Sequence, residues 1–169
     1  MAKKAKKGRR AKKETAKADA PPLPFPKPFT IDMTEPAETA YREFRQRSID
    51  AESRGETQNQ HCTTFRMVNH AIRTLIPADP TNKKYALHGP FANFFRIAKG
   101  RLRIVWAVSL ADRAILIIYI SNTPRKEGDA QDPYEILGRY AKAGFLKNVI
   151  EDWQRARQAL AVPPGARVN

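Results

Sequence analysis

The sequence predicts an α+β fold in a single domain, on three observations. Two amphipathic helical patterns come first, a meander of three strand-like runs follows, and two capped helices close the chain. Helices and strands segregated in this way are typical of α+β domains. At 169 residues, 41% of them hydrophobic, the chain has room for one core with tails.

The first thirty residues are predicted to precede this domain. Residues 1–20 hold nine Lys and Arg against two acidic residues, so we expect a disordered Lys-rich basic tail. Residues 21–30 include five prolines and predict a stiff, extended Pro-rich linker. The domain is expected over 31–161, with a weak edge strand near Phe29–Met33 at its start.

Two helices are predicted before the sheet. The first runs from Glu35 to Ser53, with Thr34 as its N-cap and Pro36 in its first turn. The second spans Gln58–Ile76. Its apolar stripe comprises His61, Cys62, Phe65, Val68, Ile72, Leu75 and Ile76. We therefore expect His61 to face the core.

A hairpin of two strands should follow these helices. We expect strands over Phe91–Ala98 and Arg101–Ser109, turning at Lys99-Gly100. A symmetric two- or four-residue loop places Arg96 opposite Arg103, whereas a three-residue loop would shift this register.

Side chains segregate sharply between the two faces of this hairpin. One face is an apolar wall, and the other gathers Arg96, Arg101 and Arg103. Like charges opposite one another in a hairpin repel, so the arrangement is costly unless an anion binds there. Phosphate fits best, because the planar guanidinium recognises it bidentately.

A third strand is predicted over Ala114–Ser121, turning from the second strand at Ala111-Asp112. This register sets Arg103 opposite Ile120 and Arg101 opposite Asn122, with Tyr119 on the core face beside Trp106. The strand is apolar on both faces, so each face needs a cover.

The two last helices can provide this cover. Asp132 at the N-cap, Pro133 at the first position and Glu135 at the third predict a helix that ends at Gly144. Asn148 is expected to cap the final helix. Trp106 and Trp153 are both expected in the core.

Charge and composition bound the class of partner. The formal net charge is +14, of which residues 1–20 carry +7, so tail and domain are both basic and favour a polyanion. Cys62 is the only cysteine, which excludes an intrachain disulfide and fits a reducing cytoplasm. No apolar run reaches the length of a membrane span, and no secretory signal opens the chain.

Further side chains are predicted to join the arginines. Arg125 and Lys126, just after the third strand, would close a phosphate site, and Tyr134 and His88 are proton-transfer candidates. A packing role for Tyr134 and a loop hydrogen bond for His88 remain the plain alternatives. The remaining predicted RNA contacts are Lys83, Lys84, Lys99, Arg66 and Arg73.

Such a site suits RNA cleavage without a cofactor. The ribose 2′-hydroxyl can attack its own phosphodiester when a base, an acid and cations for the dianionic phosphorane are present. We see no Gly-rich phosphate loop, no Ser/His/Asp spacing and no acidic pair for magnesium, which disfavours a metal nuclease.

From about Leu75 to Trp153 the chain resembles the YhaV family of type II toxin–antitoxin toxins, within the RelE-type superfamily. The matching runs are Pro77–Lys84, Phe94–Arg96, Arg103–Trp106, Ala114–Tyr119, Asn122 with Arg125-Lys126, Asp132–Tyr134, and Gly144 with Glu151–Trp153. The resemblance implies a RelE-like fold, in which an N-terminal helical hairpin packs on a small antiparallel sheet with C-terminal helices. It also implies a metal-independent, mRNA-cleaving endoribonuclease that inhibits translation and is neutralised by a PrlF-like antitoxin, with which it can form oligomers.

Two other readings of the sequence stay open. A non-catalytic RNA- or DNA-binding protein would use the same basic sheet face only for docking. A structural partner subunit would hold an acidic antitoxin segment there permanently. The endoribonuclease is the reading that the residues and the resemblance together favour, with mRNA and the ribosome as expected partners.

Overall fold

The structure is a computed structural model that describes residues 28–123, 129–130 and 132–161. It confirms the α+β class: a four-stranded sheet carries a pair of helices on each face. The strands are β1 (Thr30–Met33), β2 (Phe95–Lys99), β3 (Leu102–Ser109) and β4 (Ala114–Ser121). The helices are α1 (Glu35–Ser53), α2 (Gln60–His70), α3 (Pro133–Lys142) and α4 (Phe145–Ala161). The predicted tail and most of the linker lie outside the described residues.

The strand order is β1-β4-β3-β2. β2, β3 and β4 form the predicted antiparallel meander, but β1 runs parallel to β4, so the sheet is mixed. Two helices and the β2–β3 hairpin separate β1 from β4 in the chain. With so long a connection, β1 is free of the antiparallel constraint that a tight turn imposes.

The hairpin register differs from the predicted one by two residues. Lys99 pairs with Leu102, so the turn is Gly100-Arg101, and Gly100 adopts the positive φ of 57° that this turn uses. Arg96 lies opposite Val105, and Arg103 lies opposite Ala98 rather than opposite Arg96. A shift of two keeps every side chain on its predicted face, so the segregation was right and the direct pairing was wrong.

The start of β2 also differs from the sequence prediction. The strand begins at Phe95 rather than Phe91, because Gly89–Phe91 forms a short 3₁₀ turn. Gly89 has a φ of 62°, and Pro90 donates no backbone hydrogen bond, so neither residue suits a strand.

A β-bulge interrupts the pairing of β3 with β4. From Trp106 opposite Ile117 onward the predicted register holds, but it shifts by one between Val105 and Trp106. Tyr119 therefore lies opposite Val105, on the arginine side of the sheet, and its predicted place beside Trp106 was wrong. Likewise Arg103 faces Ser121 instead of Ile120, because the extra residue in β4 reverses the alternation beyond it.

Thr34 ties the start of α1 to this bulge. As predicted, it is the N-cap of α1, and its hydroxyl oxygen accepts from the amide of Ala37 at 3.4 Å. The same hydroxyl donates to the carbonyl of Ile118 at 2.8 Å, and the Thr34 amide donates to Ile117 at 2.9 Å. One buried side chain thus fixes both the helix start and the irregular part of β4.

α1 has the predicted bounds, whereas α2 starts two residues later than predicted. Asn59 is the N-cap, since its side chain accepts from the amide of His61 at 2.8 Å. After α2 the chain makes a π-helical turn and a last short helical turn. His61 is exposed and was wrongly placed in the core, because its neighbour Cys62 takes the buried position on this face.

Each face of the sheet has its own core. The Trp106 face, as we name it, packs against α1 and α2 through Val68, Ile72, Ile97, Ile104, Trp106 and Ile117. The opposite side, which we call the arginine face, packs against α3 and α4 through Phe94, Val105, Leu116, Ile118, Leu137 and Leu146. Both covers that the apolar β4 required are therefore present.

The C-terminal helices are fixed by a cap and by an anchor. Asp132 is the predicted N-cap of α3, and its Oδ1 accepts from the amide of Tyr134 at 2.8 Å. α4 begins directly after Gly144, whose φ is 72°, so Asn148 lies inside α4 and the prediction that it caps this helix was wrong. The apolar Phe145 starts α4 because it packs into the core of the arginine face.

Asp32 on β1 anchors α4 to the edge of the sheet. Its Oδ2 accepts from Trp153 Nε1 at 2.6 Å and from Arg157 Nε at 3.0 Å. Trp153 is therefore half-buried in the core of the arginine face, and Trp106 is fully buried, as expected.

Candidate functional site at the hairpin end of the arginine face

The helices cover the arginine face unevenly. Val105 and Ala107 are 2% and 6% exposed, whereas Arg96, opposite Val105, and Arg103, nearer the turn, are only half-buried. Arg101 lies in the turn itself and is exposed. The guanidinium groups thus stand at the end of the face that α3 and α4 leave accessible.

Arg96 and Arg103 are diagonal neighbours on this face. A diagonal pair in adjacent antiparallel strands has its Cα atoms about 7–8 Å apart, which spaces two like charges more comfortably than direct pairing. Two guanidinium groups at that spacing can approach different oxygens of one phosphate group.

Tyr134 lies against the first of these arginines. The Cζ atom of Arg96 stands 5.2 Å from the centroid of the Tyr134 ring, in the geometry of a cation–π contact. Tyr134 holds this position because it is the second residue of α3, and Asp132, which is 3% exposed, caps that helix. The structure therefore brings together two residues that the sequence placed in one site.

Arg103 is held by the turn beneath it. Its Nη1 donates to the carbonyls of Gly100 at 2.6 Å and of Leu102 at 2.9 Å. Its Nε is buried and has no hydrogen-bond partner among the described residues. No described carboxylate forms an ion pair with this guanidinium, so its positive charge is balanced by no acid in the described part of the chain.

Tyr119 belongs to the same face and was missed from the sequence. It is 8% exposed, and burial raises the pKa of its phenol from the ordinary 10.0, while a hydrogen bond with Ser121 acts in the opposite direction. The phenol therefore keeps its proton at neutral pH. A signal was present in the sequence. Strict alternation from Ile117, the partner of Trp106, would place the polar Tyr119 and Ser121 in the apolar core of the Trp106 face.

His88 and three predicted lysines are exposed at separate places in the structure. His88 is exposed in the loop that precedes β2, on the far side of Arg96 from the hairpin turn. Lys99 is exposed at the hairpin end, but the alternation of β2 points it to the Trp106 face. Lys83 and Lys84 form an exposed 3₁₀ turn, where the Nζ of Lys84 lies 4.5 Å from the Tyr85 ring centroid.

The other predicted contacts divide into a remote pair and an undescribed pair. Arg66 and Arg73 are exposed on α2 and its π turn, which cover the Trp106 face, so the sheet separates them from the arginine face. Arg66 donates to the carbonyl of Thr57 at 3.0 Å. Arg125 and Lys126 lie outside the described residues.

None of the described helices is long and apolar enough to cross a bilayer. Across residues 28–123, 129–130 and 132–161, no three His, Cys, Asp or Glu side chains come together in a group that could hold a metal ion.

Comparison with known families places this chain. A family model for the YhaV toxins, described as toxins with endonuclease activity of a toxin–antitoxin system, matches residues 30–158, well over half of the sequence. The chain belongs to the YhaV toxin family. As the resemblance predicted, this YhaV toxin is thus an endonuclease toxin, and it has an antitoxin as its partner in that system.

Solved structures that are similar to this chain include a toxin and a chain of a toxin–antitoxin complex. Isolated RelE toxin from E. coli is 15% identical, with a TM-score of 0.44 over 59% of this chain and 88% of RelE. A chain of the RelBE2 toxin–antitoxin complex from Mycobacterium tuberculosis is 14% identical, with a TM-score of 0.40 over 55% of this chain and 88% of that one. A search of curated proteins gave no match.

Proposed function

We propose that this YhaV toxin is a metal-independent endoribonuclease that cleaves mRNA and so stops translation. The observation that carries the proposal is the set of Arg96, Arg103 and Tyr134 at the accessible end of the arginine face. Two guanidinium groups and a phenol supply the charge stabilisation and a proton-transfer group that RNA cleavage needs.

The arginines would hold the scissile phosphate. Arg103 is oriented by its two bonds to the turn, and Arg96 by the Tyr134 ring, so both are preorganised before RNA arrives. Arg101 adds a third cation from the exposed turn. Arg125 and Lys126 complete the phosphate site in this proposal, as the sequence predicted.

In the reaction, the ribose 2′-oxygen attacks phosphorus, and the bond from phosphorus to the 5′-oxygen breaks. A base takes the proton of the 2′-hydroxyl and an acid gives one to the 5′-oxygen, leaving a 2′,3′-cyclic phosphate and a 5′-hydroxyl. Tyr134 is our first candidate for proton transfer because it contacts Arg96. His88, exposed in the neighbouring loop, is the second.

Cations on the rest of the chain would add affinity for RNA or for the ribosome. Lys83, Lys84 and Lys99 are exposed on the β2 side of the sheet, and Arg66 and Arg73 on the opposite helical layer.

Deleting residues 1–20 should weaken RNA binding and flatten its salt dependence, because fewer counterions are released, while thermal unfolding stays unchanged. Titrations of labelled RNA at several salt concentrations measure this slope, and an unchanged slope would contradict a binding role for the tail.

We place the toxin in the cytoplasm with its mRNA substrate, and we propose a PrlF-like antitoxin as its inhibitor. A small, acidic, strand-rich protein encoded by the neighbouring reading frame would fit that role. Its acidic segments would compete with RNA for the same guanidinium groups.

The decisive test incubates purified toxin with RNA in EDTA, first with free RNA and then with a ribosome-bound message. We expect cleavage in EDTA, cleavage about 10²-fold slower in Arg103→Ala, and cyclic phosphate ends on the mapped fragments. Replacing the ribose at the mapped site by deoxyribose should block the cut there. Absence of cleavage in both settings would overturn the enzyme and leave an RNA-binding protein.

A further inference from the structure

A polar cleft of about 410 Å³ lies along the edge of β4, beside the arginine face. β1 pairs with β4 only from Ala114 to Ile117, so the last residues of β4 have no strand next to them on that side. α1 and α2 enclose the cleft from one side, and Ile136 of α3 from the other. The polar lining includes Gln60, His61, Thr64, Tyr119, Ser121 and Asn122.

The chemistry of this lining suits a nucleobase better than a phosphate. An imidazole, two amides and several hydroxyls offer both donors and acceptors, which is what the edge of a base presents in return. Glu43 and Arg47 also line the cleft, but they pair with each other at 3.1 Å and leave little net charge there. The lining therefore suits an uncharged group better than an anion.

Two of the lining groups are poised for base contacts. His61 is exposed at the start of α2, where its ring can stack on a base or bond to its edge. Tyr119 keeps its phenolic proton, because burial raises its pKa, and so it can donate a hydrogen bond. Phe44 of α1 adds an apolar wall.

The position of the cleft links it to the predicted phosphate site. Ser121 lies directly opposite Arg103 across the β3–β4 pair, with Cβ atoms about 4.5–5.5 Å apart for such a pair. A phosphate on Arg103 and a base in the cleft would therefore belong to the same nucleotide or to neighbouring ones.

We propose that this cleft binds the base next to the scissile phosphate and sets the sequence preference of cleavage. The inference rests on the proposed RNA cleavage. It assigns to His61, Gln60 and Thr64 a specificity role on the helical side of the cleft, separate from the phosphate-binding arginines.

The test uses DNA oligonucleotides that contain a single ribonucleotide, so that only one linkage can be cut through a 2′-hydroxyl. Varying the base on each side of that linkage gives the base preference of the wild-type toxin, which we expect to span about tenfold or more. In His61→Ala and Gln60→Ala the rate for the preferred base should fall, and the spread among bases should shrink to about twofold. His70→Ala and Gln58→Ala, exposed residues outside the cleft lining, are the matched controls and should keep the wild-type spread.

A second readout does not depend on cleavage. Titrating the toxin with adenosine, guanosine, cytidine and uridine should shift the NMR signals of the His61 ring with one nucleoside more than with the others, while His70 stays unchanged. If these shifts appear but the toxin cleaves no RNA, the result supports base binding in the cleft and contradicts only the proposed nuclease activity. Cleavage with the full preference retained in both cleft variants would overturn the base site and leave the nuclease intact. Loss of antitoxin inhibition with unchanged base preference would equally overturn it, since the cleft would then be a protein-binding surface.

Discussion

A pair of helices packs on each face of the sheet, but the helices cover one face completely and the other face only in part. On the Trp106 face, α1 and α2 cover the sheet, and Ile104, Trp106 and Ile117 are 0% exposed. On the arginine face, α3 and α4 bury Val105 and Ala107 but leave Arg96 and Arg103 only half-buried.

This difference indicates which face contributes most to stability and which face contains the candidate site. Burial of large apolar side chains is the main source of folding free energy, and the Trp106 face is completed in that way. Charged guanidinium groups are costly to bury, so the apolar cover of the arginine face is only partial. Substitutions on the two faces should therefore separate stability from activity.

The largest effect on stability is expected for Trp106→Ala, on the Trp106 face. Trp106 is fully buried, and its Nε1 donates to the carbonyl of Pro80 at 2.9 Å. Removing the ring should lower the free energy of unfolding by about 3–5 kcal/mol, through the cavity and the orphaned carbonyl. Urea denaturation followed by circular dichroism measures this, and Leu110→Ala, at an exposed position, is the control. A loss below about 1 kcal/mol would mean that this face does not carry the stability.

On the arginine face, Arg103→Ala should reduce the rate of RNA cleavage about 10²-fold with little change in stability. The reason is the loss of a preorganised cation from the transition state. Arg45→Ala is the matched control, because Arg45 is an exposed arginine on α1, on the other side of the sheet, and is not a proposed RNA contact. Equal losses in the two variants would show that charge in general, and not the arginine face, drives cleavage. Arg103→Lys should recover only part of the rate, since lysine cannot bond bidentately.

A smaller effect is expected where α4 meets the sheet. Asp32→Asn weakens the acceptor shared by Trp153 and Arg157 and should lower the free energy of unfolding by about 1–2 kcal/mol. Hydrogen exchange should rise in α4 and not in α1. Asp152→Asn is the control, since Asp152 pairs only with Arg155 on the exposed side of α4 and should change stability by less than about 0.5 kcal/mol. Unchanged exchange in α4 would contradict the anchoring role of Asp32.

The smallest effect concerns alkaline pH. Burial raises the pKa of Tyr119, so the unfolded chain loses this proton first as pH rises. The folded state then loses stability between the ordinary tyrosine pKa of 10.0 and the raised value, and below that range there is no change from this group. Thermal melts from pH 8 to pH 11 should show a shallower decline in Tyr119→Phe than in wild type. Parallel curves would indicate that Tyr119 is not desolvated in solution.

Much of the fold was predictable because local signals were strong. Thr34 with Pro36, and Asp132 with Pro133, mark helix starts that the structure confirms. The bounds of β4 were also right, since an apolar run of that length between polar loops has few alternatives.

Features that depend on contacts between distant parts of the chain were harder to predict from the sequence. Which residues form the hairpin turn depends on where Gly100 takes positive φ, and two registers preserve the same faces. The bulge at Val105/Trp106 depends on Thr34, some seventy residues away in the chain, so strict alternation misplaced Tyr119. His61 was misplaced for a similar reason, because adjacent residues of one stripe compete for a single buried position.

The bulge has a practical meaning for anyone who compares or recombines toxins of this kind. Ile118 is the extra residue in β4, so removing it would restore simple alternation and still leave Tyr119 opposite Val105 and Ser121 opposite Arg103. Counting Ile118 as a regular residue of the strand, by contrast, exchanges inside for outside over the rest of β4. Chimaeras should carry Thr34 and the end of β4 from the same parent.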